Sequence, residues 1–294
     1  MKLRILLLAF CIYSLNITAQ NKSNSPFEFS DEFKLPQILL CQPVLLTIDS
    51  SETGSGVFIS DSLNVYLVTA RHCLYNIDRY GAHFKPHMLT ILHYPHDIVS
   101  GNSALITIDF TAMKDSLVRY DKSHDIAIIK IGYIKIIDSI HGSVIYFPHI
   151  LKEKSALVNA WPIRLTRKYQ QINIGSDIYL FGYPRSIGIA KKPQFDYDRP
   201  LLRKGIIAGK YDRQKTLVLD SPVYFGNSGG PVFELIEYDG FQKGIVLIGI
   251  VSEYIPYQNE MSSQTSYTVQ NLNSGYSIIE PIEFAINLIN NYDK

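Results

Sequence analysis

Short apolar runs, broken by turn residues, recur along the 294-residue chain. Runs of this kind, rich in β-branched and aromatic residues, predict strands. Six fall in the first half: Pro43–Ile48, Gly56–Ser60, Val65–Thr69, Met88–Tyr94, Ala104–Phe110 and Asp125–Ile131. Six more fall in the second: Asp177–Gly182, Leu202–Gly209, Thr216–Asp220, Pro231–Ile236, Gly244–Ser252 and Gly275–Ile279. Two sets of six antiparallel strands predict an all-β molecule of two packed six-stranded β-barrels, although one large sandwich would give the same signals. Only the tail changes period. In Pro281–Tyr292 the apolar Ile282, Phe284, Ala285, Leu288 and Ile289 recur at helical spacing, which predicts a C-terminal helix packed on the second barrel.

These patterns divide the chain into a first barrel over 35–133, an irregular connection over 134–172, and a second barrel with its helix over 173–294. Residues 20–34 are polar and predict a loose segment. Ahead of them stand a basic start (Lys2, Arg4) and the apolar run Ile5 to Tyr13, too short to cross a bilayer. Ile17-Thr18-Ala19 then offers a small residue before a cut, so residues 1–19 read as a signal peptide cleaved near Ala19. The mature chain is therefore expected outside the cytoplasm, in a periplasm or the medium, without stable membrane insertion. A net charge of +1 gives no electrostatic case for nucleic acid. No feature assigns an oligomeric state.

The candidate chemistry centres on Gly226-Asn227-Ser228-Gly229-Gly230-Pro231. A serine between glycines, beside an apolar strand, can lift its hydroxyl clear of neighbouring side chains. The N–H groups of Gly226 and Ser228 can then converge as an oxyanion hole. Two segments upstream supply partners. His72, in Thr69-Ala70-Arg71-His72-Cys73, sits where the run Val65-Tyr66-Leu67-Val68 ends. Asp125, in His124-Asp125-Ile126-Ala127, opens another apolar strand. A carboxylate there can accept from the imidazole and fix its tautomer.

In this order, His then Asp then Ser, the chain resembles the chymotrypsin-like (trypsin-like) serine peptidases. Thr69–Cys73, His124–Ala127 and Gly226–Pro231 resemble that family's three signature segments. Gly54-Ser55-Gly56-Val57-Phe58-Ile59, Phe181-Gly182-Tyr183-Pro184, Gly205-Ile206-Ile207 and Asp220 resemble its bacterial Deg/HtrA branch. The resemblance runs over roughly residues 35–292. It implies a cleft between two barrels, a polypeptide substrate, no cofactor and no metal. Deg-like proteins often carry a C-terminal peptide-binding domain, for which this sequence leaves no room after its helix.

Departures from the family pattern carry expectations of their own. Asn227 stands where digestive relatives have an Asp that pairs with a freshly cut N-terminus, so the site is expected to assemble without zymogen cleavage. The resemblance puts a pocket floor at Pro222 and walls at Ser252, Glu253, Tyr254, Gly275 and Ser277. Pro222 brings no carboxylate, which points to apolar or small substrate residues. Gly54-Ser55-Gly56 replaces the cysteine that pairs with the Cys73 position in animal relatives, and Cys41 lies at the opposite end of its hairpin, so no disulfide is expected. The stretch between His72 and Asp125 holds His83, His87, His93 and His96 without a metal-ligand spacing and reads as a solvated loop. His124 should face away from Asp125, as successive strand residues do. Three functions fit these residues: an exported serine endopeptidase active from about pH 6 to 8 upward, a protease-fold binding protein with a silent site, and an esterase using the same serine.

Overall fold

The computed structural model describes residues 35–95, 102–111, 117–136, 142–148, 150–152, 158–186, 192–238, 242–262 and 267–292. The expected signal peptide, the segment 20–34 and His96 lie outside the described residues. Among the described residues, no helix is long and apolar enough to cross a membrane.

The first half opens with β1 (Pro43–Ile48), β2 (Glu52–Ser60) and β3 (Asn64–Thr69), followed by a single helical turn, α1 (Arg71–Leu74). A short hairpin of β4 (Tyr75–Asp78) and β5 (Gly81–Phe84) leads to β6 (Met88–His93), β7 (Ala104–Asp109), β8 (Val118–Tyr120) and β9 (Ala127–Ile136). Three short strands follow: β10 (Gly142–Tyr146), β11 (Ile150–Lys152) and β12 (Trp161–Pro162). The second half holds β13 (Asp177–Gly182), β14 (Leu201–Tyr211), β15 (Thr216–Asp220), β16 (Pro231–Tyr238), β17 (Gln242–Ser262) and β18 (Tyr267–Pro281). The chain then enters α2 (Glu283–Asn290).

The all-β expectation holds in both halves. The second half is a closed six-stranded barrel in the order β13-β14-β15-β18-β17-β16. The first is a curled ten-stranded sheet in the order β10-β9-β3-β2-β1-β6-β7-β11. β7 pairs with β6, while β8 lies off this path and pairs with β9. The short strands β8, β10, β11 and β12 extend the sheet beyond the six that were expected.

Burial explains the near-continuous apolar runs. In β2, Phe58 packs inside the first sheet with Val44, Leu67, Ile91 and Ile129. Its neighbours Val57 and Ile59 point the other way, into a cluster shared by both halves with Phe181, Phe233, Leu247 and Phe284. Alternation thus gives each face an apolar partner, so the strand shows few polar positions. A separate cluster of Ile178, Leu180, Leu219, Val232, Ile248 and Ile279 fills the second barrel. The helix α2 docks Phe284, Ala285 and Ile289 on the shared cluster.

Two expectations need correction. The stretch holding the histidines is a hairpin and a core strand rather than a solvated loop. His83 and His87 stay near the surface beside Asp78 and Asp49, but β6 alternates and buries His93 to 1% exposure against Phe58. Asp125 does not open its strand, since β9 begins at Ala127 and residues 121–126 form a tight turn. Cys41 and Cys73 are both buried, and no disulfide joins them.

Candidate active site

His72 lies on α1, immediately past the end of β3. Ala70, in extended conformation, starts that turn, and the Cys73 N–H closes it on the Ala70 carbonyl at 3.1 Å. The Arg71 guanidinium reaches across to the carbonyls of Asp121 (2.7 Å) and Lys122 (2.9 Å), tying the helical turn to the loop that carries Asp125. That loop is shaped by Asp121, whose carboxylate accepts the N–H groups of Ser123 and His124.

The Asp125 carboxylate takes three hydrogen bonds. Oδ1 accepts the His72 backbone N–H at 2.9 Å, and Oδ2 lies 2.7 Å from His72 Nδ1. The Ser252 hydroxyl also donates to Oδ2, at 2.7 Å. Burial would lift the carboxyl's pKa, but the bonds from His72 and Ser252 win, and Asp125 is held below the ordinary carboxylate range. Burial works against a charge on His72 as well. There Asp125 and the neighbouring Cys73 outweigh it, and the ring is held above the ordinary imidazole range. With Nδ1 engaged by the carboxylate, Nε2 is the nitrogen left to act on another group.

Ser228 sits in the turn before β16, and its hydroxyl donates to the Ser252 carbonyl at 3.3 Å. Glycine is obligatory on both sides of it. Gly226 has φ +99° and Gly229 φ +84°, and a side chain at either would run into backbone, Tyr183 O for the first and Ser55 O for the second. The Arg185 N–H holds the Phe225 carbonyl at 3.0 Å. In a planar trans peptide the next N–H, that of Gly226, then points the opposite way. Among the described residues the N–H groups of Gly226 and Ser228 have no acceptor. Asn227 is buried, and its Oδ1 takes the Tyr224 N–H at 3.2 Å. It closes the turn from within, using no charge.

One residue of the first half stitches this turn in place. Ser55 on β2 is fully buried. Its hydroxyl donates to the Gly226 carbonyl (2.6 Å) and accepts the Tyr183 N–H (3.1 Å). Its own N–H donates to the Ser228 carbonyl at 2.8 Å. Sequence reasoning noted Gly54-Ser55-Gly56 only as a resemblance, because these bonds join positions more than a hundred residues apart. The role of Ser252 was missed for the same reason. It was expected as a pocket wall, and its hydroxyl also anchors Asp125.

His72, Asp125, Gly226 and Ser228 line one cleft of about 1140 Å³. Of the expected pocket residues, Ser252, Glu253 and Tyr254 line it as well. Pro222, Gly275 and Ser277 are not among the lining residues; Ser277 is buried and donates to the Ser221 carbonyl at 2.9 Å. Val223 lines the cleft instead, and Phe225 is 70% exposed, edge-on to Tyr254 with ring centres 5.9 Å apart. His124 does turn from the Asp125 carboxylate, but the turn, not strand alternation, sends it to Glu280.

Comparison with known proteins gives the following. Residues 54–238 match the family described as trypsin-like peptidase domain. No curated protein sequence matches the chain. Among solved structures, an HtrA-type protease, AlgW with tripeptide, is 16% identical with a TM-score of 0.43, over 85% of this chain and 60% of its own. Deg5 is 13% identical with a TM-score of 0.45, over 84% of this chain and 87% of its own. The chain thus spans less than two thirds of AlgW's length. The matched segment covers more than half of the sequence and contains His72, Asp125 and Ser228 together, and the chain accordingly belongs to the trypsin-like peptidase domain family.

Proposed function

We propose that the protein is an exported serine endopeptidase, with His72, Asp125 and Ser228 as its catalytic group. The observation that carries this reading is the 2.7 Å contact of His72 Nδ1 with Asp125, in the cleft that also holds the Ser228 hydroxyl. In the reaction, Ser228 leaves the Ser252 carbonyl and gives its proton to His72 Nε2 as Oγ attacks the scissile carbonyl. The N–H groups of Gly226 and Ser228 take the developing oxyanion, an interaction worth about 3 kcal/mol per donor. His72 returns the proton to the leaving amine. A water, deprotonated by the same ring, then releases the acyl group from Ser228. Asp125 keeps the ring in the useful tautomer and stabilises its charged form.

The site needs no new N-terminus in this account, because the neutral Asn227 closes its turn through Tyr224. Val223, Phe225 and Tyr254 favour an apolar substrate residue at the cut. The signal peptide, the barrel boundaries at 35–133 and 173–294 and the extracytoplasmic location belong to the same proposal.

Incubation of the mature chain with an unfolded polypeptide, followed by mass spectrometry of the new termini, tests it. Cleavage after apolar residues by the wild type but not by Ser228→Ala is expected. Ester turnover without any peptide cleavage would replace the endopeptidase with an esterase. An inert, folded wild type would leave a binding protein.

A further inference from the structure

We propose that Glu280, at the end of β18, is a positioning residue: its carboxylate reaches from the second barrel to the His124–Asp125 turn of the first and fixes the Asp125 carboxylate against His72. The proposal rests on the reading of His72, Asp125 and Ser228 as the catalytic group.

The N–H groups of Ser123, His124, Asp125 and Ile126 each find an acceptor. Those of Ser123 and His124 go to the Asp121 carboxylate, and that of Ile126 goes to the His124 carbonyl. The Asp125 N–H is answered from the other barrel, by Glu280 Oε1 at 3.3 Å. The second oxygen of the same carboxylate, Oε2, lies 2.9 Å from His124 Nδ1. The His124 ring in turn stacks on Phe284 of α2, with ring centres 3.4 Å apart and planes 15° from parallel. A line of contacts therefore runs from α2 through His124 and Glu280 to Asp125, and from there to His72.

A carboxylate buried to 6% exposure is costly unless both its oxygens are engaged. An apolar side chain would fill the space without that cost, but it would leave the Asp125 N–H without an acceptor. Burial raises the pKa of Glu280 above the ordinary carboxylate range, and the hydrogen bonds from His124 and from the Asp125 N–H work against that rise. In its ionised form Glu280 sets a negative charge behind Asp125, which favours the protonated form of His72. Glu280 thus has a geometric effect, holding the turn, and an electrostatic one, raising the basicity of His72.

Two variants separate these effects. Glu280→Ala removes both. Glu280→Gln keeps a carbonyl for the Asp125 N–H and a polar group for His124, but removes the charge. The readout is the rate at which a fluorophosphonate labels the chain across pH, with thermal unfolding followed on the same samples. In Glu280→Ala the plateau rate is expected to fall about 10- to 100-fold, the scale of a small misplacement of a reacting group. Glu280→Gln is expected to recover most of the plateau, with its acid limb moved to lower pH. A purely structural residue would change the folded fraction and leave the acid limb where it was. If Glu280→Gln keeps the wild-type plateau and limb while Glu280→Ala is either unfolded or equally unchanged, the positioning role is overturned. A folded wild type that takes no label overturns the peptidase reading, and this proposal with it. That result is distinct from a labelled wild type with unaffected variants, which overturns only the role of Glu280.

Discussion

Asp125 and His72 show what single residues contribute and what each should do when changed. Asp125 draws three donors at once and holds His72 above the ordinary imidazole range. Only the neutral ring can accept the serine proton, so kcat/KM should rise as His72 deprotonates. Because the folded ring holds its proton to higher pH than free histidine, the limb should lie above about 6.5. A pH profile of kcat/KM with its limb at or below that value would contradict the geometry. Asp125→Asn leaves the shape but presents the wrong partner to Nδ1, and should lower kcat by about 10⁴-fold with substrate binding little changed. His93 makes a prediction about stability. It is buried with neither ring nitrogen hydrogen-bonded, and burial lowers its pKa to about 4. The unfolded chain binds a proton there near pH 6.5, and the folded chain does not until about pH 4. The stability is therefore complete above about 6.5 and is lost as pH falls towards 4, by roughly 3 kcal/mol in total. His93→Phe should flatten the denaturant-measured stability over that window; an unchanged slope would locate the acid sensitivity elsewhere.

At the scale of elements, apolar periodicity was most informative where a strand has at least one buried face. Pro43–Ile48, Asp177–Gly182 and Thr216–Asp220 are legible residue for residue as β1, β13 and β15: β1 is buried at nearly every position, and in β15 buried Leu217 and Leu219 alternate with more exposed neighbours. The ribbon of β17 and β18 was not. Beyond Ile250, β17 has lost β16 as a neighbour and pairs with β18 alone, out to Ser262↔Tyr267. Tyr257, Val269 and Leu272 are exposed there. With no buried face there is no alternation to read. The turn around Ser228 was legible because glycine is a local signal. Gly229 has a positive φ, and a side chain there would meet Ser55 O. Gly229→Ala should cost about 1–2 kcal/mol in backbone conformation before that clash is counted, and should abolish fluorophosphonate labelling even where the chain still folds. Labelling of Gly229→Ala at the wild-type rate would show that the turn has room the structure denies it.

For the whole molecule, the two halves meet through a shared apolar cluster and a few polar stitches. The sequence could place His72, Asp125 and Ser228 in order, but not Ser55, Ser252 or Glu280. Those three act through hydrogen bonds to residues far away in the chain, and no local spacing encodes them. Ser55→Ala tests the stitching. It leaves the Tyr183 N–H and the Gly226 carbonyl buried without a partner, a loss of about 1–3 kcal/mol. Stability and activity should fall together, as both halves of the site shift. A variant with reduced stability but full activity would show that the Ser228 turn holds its shape without β2.

The central claim is that Ser228 is a nucleophile activated by His72. Intact-mass measurement after exposure of the purified protein to a fluorophosphonate tests it most directly. Nucleophilic attack forms an Oγ–phosphorus bond and expels fluoride. The account predicts one adduct on the folded wild type, mapped to Ser228, absent in Ser228→Ala and strongly slowed in His72→Ala. A folded wild type without adduct, or an adduct that persists unchanged in either variant, would contradict it.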